Sequence, residues 1–396
     1  MLRTQIIDGA AVLPQVPDPS PLTSHSSPLK PAPQKVTLTH IVGARPNFMK
    51  LAPVWQALGR TGFPQVIVHT GQHYDANMSD VFFAQLGLAR PDVNLEVGSG
   101  SHAQQTAQIM MRFEEVARVN PPDLVLVYGD VNSTVAAALV CAKRGIPVGH
   151  VEAGLRSFDR TMPEEINRLL TDQLADLLFT PSADGNRNLE REGLPPERIH
   201  LVGNVMIDTL ARLLPQARPP ALSGVEGAFA LVTLHRPSNV DEPDSLRNIL
   251  GALNELSERL AVIFPVHPRT RNRIAELGLA ARDARRLRLE EPMGYLEFLG
   301  LQQKAAVVIT DSGGIQEETT YLGIPCLTLR ENTERPVTVE LGTNLLLGRD
   351  LARMQREVEA ILAGRGKRGQ IPPLWDGRAS ERIAAVVERW ADGVEK

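Results

Sequence analysis

From residue 35 onward, short apolar runs alternate with amphipathic segments along the chain. A run such as DLVLVYGD at 123–130 is almost wholly apolar, which is typical of a strand buried on both faces of a parallel sheet. The segments between such runs repeat apolar residues at helical spacing, and alternating strands and helices predict an α/β fold. In the first half of the chain, the predicted strands are 36–42, 65–71, 123–130 and 146–152, and the predicted helices are 49–60, 79–87, 105–119, 133–145 and 163–179.

The last of these predicted helices, 163–179, is also the longest. Pro163 suits its first turn, where a missing backbone N–H costs nothing. Six apolar side chains form one stripe along it, as in a surface helix whose apolar face packs on a core: Ile166, Leu169, Leu170, Leu174, Leu177 and Leu178.

The second half of the chain repeats this architecture without repeating its sequence. Its predicted strands are 229–235, 262–267, 306–311 and 325–330, and its predicted helices are 244–260, 298–305 and 315–323. Two Rossmann-like domains, with parallel sheets that face each other across a cleft, explain the repetition, and we place the junction near residue 205. A last helix at 380–394 has no strand partner and could pack against either domain.

Residues 1–34 differ from the rest of the chain. They contain seven prolines and several Ser and Thr, and they show neither helical nor strand periodicity. Such a segment buries too little apolar surface to offset its ordering entropy, so we predict a disordered extension.

Length and composition narrow the class of protein. At 396 residues the chain is too long for one hydrophobic core, which agrees with two domains. Its 42 basic and 46 acidic side chains give a net charge of −4, whereas a nucleic-acid-binding protein should carry a basic excess. No apolar run reaches the ~18 residues of a membrane span, and the N-terminus does not resemble a secretory signal. These features predict a cytoplasmic enzyme with no nucleic-acid or membrane partner.

Cysteine and histidine placement argues against a bound metal. Cys141 and Cys326 are too few for a disulfide framework or a cysteine zinc site. The histidines near predicted strand ends lack the spacing of metal ligands, and we therefore predict no metal at His73, His150, His235 or His267.

Charged and polar side chains follow most of the predicted strands. One such residue would be an ordinary solvated loop residue, but their density here is unusual. Ligands of open parallel sheets bind beyond the carboxyl ends of the strands, so these residues are candidates for one site. The candidates are Arg45, Lys50, Gln72, His73, Asp75, Asp130, Glu152, Arg156, His235, Arg236, His267, Arg269, Asp311, Arg330, Glu334 and Arg335.

The segment DSGG at 311–314 follows an apolar strand and opens a helix. Gly313 and Gly314 leave the N–H groups of the helix start uncovered, and a helix N-terminus carries about half a positive charge, which suits a phosphate. Glu318 lies about one turn into the helix, where it could accept hydrogen bonds from ribose hydroxyls. A plain tight turn with Ser312 as its cap is the alternative.

Other patterns have ordinary explanations. GSGSHA at 98–103 fits a loose dinucleotide-binding pattern, but the run before it is short and half polar, so we assign it to a turn. Glu164 and Arg168 are spaced i,i+4 and could simply form an ion pair on one helix face. Asp130 and Glu152 end buried strands, where a structural carboxylate is costly unless it is paired.

Nine segments, in order and with compatible spacing from about residue 36 to about 390, carry a family resemblance. They are GARPNFMKLAPV, TGQHYDANMSDVFF, VYGDVNST, GHVEAGLRS, MPEEINR, GNVMIDTL, TLHRPSN, PVHPRTR, and TDSGGIQEE followed by TERP. These segments resemble the non-hydrolysing UDP-N-acetylglucosamine 2-epimerases. The resemblance implies the GT-B fold, with Rossmann-like domains at 35–205 and 206–377 and a C-terminal helix at 378–396 that packs back on the first.

The resemblance also implies a reaction. The family interconverts UDP-GlcNAc and UDP-ManNAc, usually as a homodimer without a metal or redox cofactor. Because C2 of the sugar is not next to a carbonyl, UDP is eliminated first to give 2-acetamidoglucal, and it re-adds while the proton returns to the other face. The match implies acid/base roles for Asp130, Glu152 and Glu164, and phosphate or catalytic roles for the cations Arg45, Lys50, Arg168 and His235. It implies a diphosphate loop at Ser312, Gly313 and Gly314 and a ribose contact at Glu318, and the matching segments also contain His267 and Arg335.

The chain departs from well-studied bacterial members at two places. They continue the His235–Arg236 motif with Arg and Glu, where this chain has Pro237 and Ser238. They also bind a second, activating UDP-GlcNAc near the residues that match Gln72 and His73. A Gln stands there where this chain has Asp75, so the resemblance does not predict allosteric activation here.

Related activities remain as alternatives. A subfamily that epimerises UDP-diacetamido-glucuronic acid has similar TGQHYDANMS and SFDRTMPEEINR segments, while TERP favours the simpler GlcNAc substrate. A GT-B glycosyltransferase would share the nucleotide site but would not need three clustered carboxylates. Hydrolysing epimerases and a sugar-binding regulator without turnover are further alternatives.

Overall fold

The structure is a computed structural model that describes residues 36–72, 80–221, 227–279, 281, 283 and 285–394. The predicted extension at 1–34 lies outside these ranges, as do His73 and Asp75. The chain from Val36 onward forms one compact unit.

The first half of the described chain forms a seven-stranded parallel sheet in the order β3-β2-β1-β4-β5-β6-β7. Its strands are β1 Leu38–Val42, β2 Gln65–His69, β3 Val93–Asn94, β4 Leu124–Tyr128, β5 Val148–Val151, β6 Leu177–Thr180 and β7 Ile199–Leu201. The helices are α1 Arg45–Thr61, α2 Asp80–Leu86, α3 His102–Val119, α4 Asn132–Arg144, α5 Pro163–Leu174, α6 Ala183–Arg191 and α7 Val205–Leu213.

The second half forms a six-stranded parallel sheet, within the described residues, in the order β10-β9-β8-β11-β12-β13. Its strands are β8 Phe229–Thr233, β9 Ala261–Pro265, β10 Leu287–Glu290, β11 Val307–Thr310, β12 Cys326–Thr328 and β13 Asn344–Leu346. The helices are α8 Pro237–Val240, α9 Pro243–Ser257, α10 Pro268–Glu276, α11 Tyr295–Gln302, α12 Gly313–Leu322, α13 Pro336–Glu340, α14 Leu351–Leu362 and α15 Ala379–Val394.

Both sheets therefore have the doubly wound order of a Rossmann fold, and the predicted α/β class with two parallel sheets is confirmed. Each order reverses between two neighbouring strands, β1 and β4 in the first sheet and β8 and β11 in the second. Such reversals open a crevice at the carboxyl ends of the strands. No helix of the described residues is long and apolar enough to cross a membrane.

The predicted helix 163–179 is wrong in its second part. Helix α5 ends at Leu174, Ala175 is extended at φ −78° and ψ 140°, and β6 follows at Leu177. The apolar run LADLLF suits a buried strand as well as a helix, and the sheet decides between them. The Asp176 N–H donates to the Val148 carbonyl at 2.8 Å, and the Asp176 carboxylate accepts from the Val148 N–H at 2.9 Å. These two hydrogen bonds set β6 beside β5.

The predicted apolar stripe of α5 does not face the core along its whole length. Ile166 and Leu170 are each 45% exposed, whereas the buried residues of the helix are Glu165, Asn167, Arg168, Thr171 and Asp172. The helix is thus polar on its buried side, and its apolar residues point partly to solvent.

The last helix, α15, packs on α1 of the first sheet. Ile383 and Val387 belong to the same apolar cluster as Leu51 and Leu58. Asp208 of α7 fixes the start of α15, because its carboxylate accepts from the N–H groups at the helix start, including that of Ser380 at 2.7 Å. The domain bounds at 205/206 and 377/378 stay predictions.

Candidate active site

A cavity of about 920 Å³ lies at the carboxyl edges of both sheets, where their strand orders reverse. Residues of both halves of the chain line it. Twelve of the residues predicted from the sequence are among them: Arg45, Lys50, Asp130, Glu164, Arg168, His235, Arg236, His267, Gly313, Gly314, Glu334 and Arg335.

The turn between β1 and α1 brings its cations into this cavity. The Asn47 side chain accepts from the N–H groups of Gly43 and Ala44, at 3.1 and 2.9 Å, and so closes the turn. A Cβ atom on Gly43 would lie 2.0 Å from the Ser133 Oγ atom, so only glycine fits there. The Arg45 guanidinium carbon lies 5.1 Å from the centre of the Phe82 ring, and this cation–π contact holds the charge in place.

A buried ion network joins the two halves of the chain beneath the cavity. Lys50 Nζ lies 2.8 Å from Glu152, and Arg335 Nη2 of the second half lies 3.2 Å from the same carboxylate. Arg335 Nε is also 2.7 Å from Glu317, and the guanidinium pairs with Glu334 as well. The carboxylate of Glu152 is therefore paired, as a buried acid must be.

Glu152 also has an unusual backbone. Its φ is +81°, a left-handed conformation that costs a non-glycine residue roughly 1–2 kcal/mol. The N–H groups of Glu152 and Ala153 both donate to the Phe179 carbonyl, at 3.1 and 3.0 Å, and hold this turn. Strain of this kind is concentrated at functional sites.

Arg168 does not form the i,i+4 ion pair that its spacing allows with Glu164. It lies 2.5 Å from Asp130 and 2.6 Å from Glu165, and Glu164 instead lines the cavity. Burial opposes the charge of Arg168, but the nearby carboxylates, Asp130 foremost, outweigh it and raise the pKa of Arg168. The helix α5 therefore presents Glu164 to the cavity and uses Arg168 to hold Asp130.

In the second sheet, Asp311 fixes the turn after β8. Its carboxylate accepts from the N–H groups of His235 and Arg236 and from the Asn239 amide, and His235 Nδ1 is 3.1 Å away. Burial favours the neutral acid, but the contacts with His235 and Asn239 hold the pKa of Asp311 below its usual value. The ring of His235 remains 58% exposed toward the cavity.

The DSGG segment opens α12 as predicted from its glycines. Ser312 is the N-cap residue, and its side chain makes no capping bond within the described structure. A Cβ atom on Gly313 would meet Arg335 and Glu334, whereas one on Gly314 would meet nothing within 4 Å. The N–H groups of the first turn of a helix have no partner inside the helix, so they are available to an anion in the cavity.

Eight of the predicted candidates within the described ranges do not line the cavity; besides the four described next, they are Arg156, Arg269, Asp311 and Arg330. Glu152 lies below it, Ser312 stands beside it, and Glu318 is buried with its Oε1 atom accepting from the Tyr295 hydroxyl at 2.9 Å. Burial raises the pKa of Glu318 to about 7. The Gln72 Oε1 atom accepts from the Ser133 N–H and hydroxyl at 3.0 and 2.7 Å, which is a contact inside the first domain.

Sequence reasoning did not single out several residues of the site. Glu317 is the most important, since it pairs with Arg335, and its place directly before Glu318 was an available signal. Tyr295 gave no signal, because it reaches Glu318 from another helix. The other cavity residues that were not predicted include Ser99, Met162 and Pro292.

A cleft between two Rossmann-like domains, lined by cations and carboxylates from both, is typical of GT-B enzymes that bind nucleotide sugars. Comparisons with known proteins narrow this class. A family model described as UDP-N-acetylglucosamine 2-epimerase matches residues 56–388. This chain therefore belongs to the UDP-N-acetylglucosamine 2-epimerase family.

Individual relatives agree with that membership. The UDP-N-acetylglucosamine 2-epimerase of Methanocaldococcus jannaschii is 43% identical, covering 88% of this chain and 98% of the relative. A crystal structure of that organism's UDP-GlcNAc 2-epimerase in complex with UDP-GlcNAc and UDP matches with a TM-score of 0.82 at 42% identity, covering 89% of this chain and 100% of the other. The UDP-2,3-diacetamido-2,3-dideoxy-D-glucuronate 2-epimerase of Pseudomonas aeruginosa is 44% identical, covering 88% of this chain and 98% of the relative.

Proposed function

We propose that this chain interconverts UDP-GlcNAc and UDP-ManNAc by eliminating UDP and adding it back on the other face. The observation that carries the proposal is one cleft in which cations and carboxylates of the first domain face the start of α12 in the second. The activity named for the M. jannaschii relative, and the UDP-GlcNAc and UDP bound in its structure, support the same reaction.

The nucleotide end of the substrate fits the second domain. Ser312, Gly313 and Gly314 present the first-turn N–H groups of α12, whose dipole favours a diphosphate. Glu318 is about one turn further along the same helix and is held by Tyr295, a position suited to the ribose hydroxyls. His235 and His267 also line the cavity, where their ring nitrogens would donate hydrogen bonds to the diphosphate.

The sugar end then faces the carboxylates of the first domain. Proton removal from C2 needs a carboxylate that can reach the substrate, and a general base of this kind contributes ~10²–10⁴-fold in rate. Asp130 and Glu164 line the cavity, whereas Glu152 is 5% exposed and already binds Lys50 and Arg335. The geometry supports Asp130 and Glu164 as the proton-transfer groups and Glu152 as the group that holds the two cations in place.

Departure of UDP requires positive charge around the diphosphate as the glycosidic C1–O bond breaks. Arg45, Lys50 and Arg335 all line the cavity and would stabilise the charge that develops on the leaving group. They would hold the released UDP in the cleft until it re-adds to the glycal, so that no free sugar escapes.

A proton NMR time course with UDP-GlcNAc in D₂O tests the proposed function. We expect UDP-ManNAc to appear without any acceptor and both epimers to gain deuterium at C2, because deprotonation at C2 is obligatory. Free ManNAc with UDP would indicate a hydrolysing epimerase, and no reaction without an acceptor would indicate a glycosyltransferase. Product without deuterium at C2 would contradict the elimination mechanism.

A UDP-diacetamido-glucuronate substrate is the second candidate, since the P. aeruginosa relative is as similar as the M. jannaschii one. A second cavity of about 520 Å³ adjoins the first and is lined by three arginines, Arg236, Arg330 and Arg349, of which Arg330 is paired with Glu334. An acidic sugar needs such a cation. The same NMR assay with both UDP-sugars decides between them by the ratio of kcat/KM.

Gly314→Val tests where UDP binds. The new side chain would extend from the start of α12 into space that the structure leaves open, so folding should be unaffected. The diphosphate would lose its close approach to the backbone N–H groups, and each lost charge-assisted bond is worth about 1.5–3 kcal/mol. We expect the Kd for UDP, measured by calorimetry, to rise on the order of 10–100-fold.

Gly251→Val is the matched control for this variant. Gly251 is also helical, and its Cβ atom would also meet nothing within 4 Å, but it lies in α9 away from the cavity. Its UDP affinity should equal that of the wild type. A Gly314→Val protein that is folded and binds UDP normally would contradict the placement of the diphosphate at α12.

We also propose that two copies of the chain form a homodimer, as the family resemblance implies. Ile166 and Leu170 are one turn apart on α5 and partly exposed, and Phe158 just before this helix is 76% exposed. Apolar residues on consecutive turns of one helix face are typical of an association surface.

The double variant Ile166→Asp/Leu170→Asp should therefore be monomeric by light scattering at a concentration where the wild type is a dimer. The control Leu362→Asp on α14 should stay dimeric. A monomeric wild type would contradict the proposal.

The cytoplasmic location stays a prediction of the sequence. The proposed product adds a role in surface polysaccharide synthesis, because activated N-acetylmannosamine is usually consumed by sugar transfer to a polymer. Localisation of a tagged full-length chain would test the first of them.

A further inference from the structure

His150 is a buried histidine whose two ring nitrogens both meet oxygen atoms. It lies in the centre of β5 and is 0% exposed. Nε2 is 2.8 Å from the Gly129 carbonyl oxygen, and Nδ1 is 2.6 Å from Asp172 Oδ1. A carbonyl oxygen only accepts, so Nε2 must carry a proton.

The state of Asp172 settles the second nitrogen. Its Oδ2 atom is 2.7 Å from Arg156 Nη1 and accepts from the Gly154 N–H at 3.1 Å. Burial favours the neutral acid, but His150 and Arg156 outweigh it and hold the pKa of Asp172 below its usual value. Because the Arg156 guanidinium and the Gly154 N–H both donate to Oδ2, Asp172 acts as a carboxylate, Nδ1 donates to its Oδ1 atom, and both ring nitrogens of His150 carry a proton.

The buried charges balance. Arg156 binds Glu192 through Nε and Nη2 at 2.8 and 2.6 Å, so two cations and two carboxylates alternate from the core toward the partly exposed Glu192. Buried ion pairs rarely add stability over an apolar core, and they are retained where they fix a particular geometry. The geometry that this chain of ions fixes is that of the turns carrying the site carboxylates.

Each end of the His150–Asp172 pair holds one of these turns. Gly129, whose carbonyl the imidazolium binds, directly precedes Asp130 and has a φ of +65°. Gly154, whose N–H the carboxylate binds, follows two residues after the left-handed Glu152.

Asp172 also connects these turns to α5, because it lies one helical turn after Arg168, which binds Asp130 directly.

We propose that His150, as an imidazolium bound to Asp172, is a positioning residue that sets the two turns carrying Asp130 and Glu152. The proposal rests on the proposed function, in which Asp130 transfers the proton and Glu152 holds the cations Lys50 and Arg335 in place. His150 itself does not line the cavity and touches no reacting atom. Its effect passes through the Gly129 carbonyl and through Asp172.

The test compares His150→Gln with His40→Gln. Both histidines are fully buried with both ring nitrogens hydrogen-bonded, and His40 binds the Tyr128 hydroxyl and Gln65 rather than the backbone of a site turn. Because small displacements of catalytic groups can cost about 10²-fold in rate, we expect His150→Gln to lower kcat on the order of 10–100-fold. KM and the Kd for UDP should stay within about twofold, and deuterium exchange at C2 should slow in step with kcat. His40→Gln should lose stability without this fall in kcat.

Asp172→Asn provides a second variant in case His150→Gln does not fold. It keeps the shape of the side chain but removes the charge that requires a doubly protonated His150, and we expect the same loss of kcat with UDP affinity intact. Nitrogen-15 NMR of the wild-type histidine rings gives an independent signature: His150 should show two protonated nitrogens, and this signal should disappear in His150→Gln.

The outcomes separate the inference from the proposed function. An inactive wild type that nevertheless shows the doubly protonated ring would refute the proposed function alone. A singly protonated His150 in an active wild type would overturn the inference. So would a His150→Gln protein that loses stability as His40→Gln does but keeps its kcat.

Discussion

Asp130→Asn is expected to lower kcat by ~10²–10⁴-fold while the Kd for UDP changes little. The variant keeps the shape of the side chain and can still accept from Arg168, which lies 2.5 Å away, but it cannot take a proton from C2. UDP affinity should persist because the diphosphate site is built by α12 and by cations on other elements. Steady-state kinetics with UDP-GlcNAc and calorimetry with UDP measure the two quantities.

Glu165→Gln is the matched control for Asp130→Asn. Glu165 also binds Arg168, at 2.6 Å, but it is buried and does not line the cavity. Its loss should lower the melting temperature and reduce kcat far less than Asp130→Asn does. If both variants instead lose melting temperature and UDP affinity together, then Asp130 merely anchors Arg168 and the proposed proton transfer is wrong.

Arg335→Gln is expected to destabilise the protein by about 3–5 kcal/mol, since it removes one partner from a buried ion network. Arg335 contacts Glu152, Glu317 and Glu334, and each of these carboxylates is at most 5% exposed. Among the described residues, the ion pairs of Glu317 include no cation besides Arg335. The variant would therefore leave the buried Glu317 carboxylate unpaired. The free energy of unfolding in urea measures the loss.

The loss of unfolding free energy in Arg335→Gln should depend on pH. Burial opposes ionisation of Glu334, but Arg335 and Arg330 outweigh it and hold the pKa of Glu334 below its usual value. A carboxylate with a lowered pKa in the folded state adds stability above its unfolded pKa, near 4.5, and loses it as the pH falls. The difference between wild type and variant should therefore be largest at pH 7–8 and narrow below about pH 4.5.

Arg273→Gln is the control for this series. Its ion pair with Glu276 is exposed and spans one helical turn, at 3.2 Å, so its loss should change stability by no more than ~0.5 kcal/mol at any pH. An Arg335→Gln protein as stable as Arg273→Gln would show that the buried network contributes nothing to the contact between the two domains.

Much of the site could be predicted because local sequence places it. The turns after β1, β4, β8 and β11 carry Arg45, Asp130, His235 and the DSGG segment, and parallel strands bring their carboxyl ends to one edge. What could not be predicted is which acid meets which cation. Glu164 and Arg168 had the spacing of an ion pair, yet Arg168 binds Asp130, which is 38 residues away.

The sequence by itself determined the alternation of strands and helices, the two domains and the residues at the strand ends, because apolar periodicity and glycine position act over a few residues. The tertiary structure decided what depends on distant neighbours. It made 177–180 a strand, since Asp176 pairs with Val148 at the edge of β5. It joined Arg335 to Glu152 across 183 residues, because a buried charge takes the partner that packing brings within reach, wherever that partner lies in the chain.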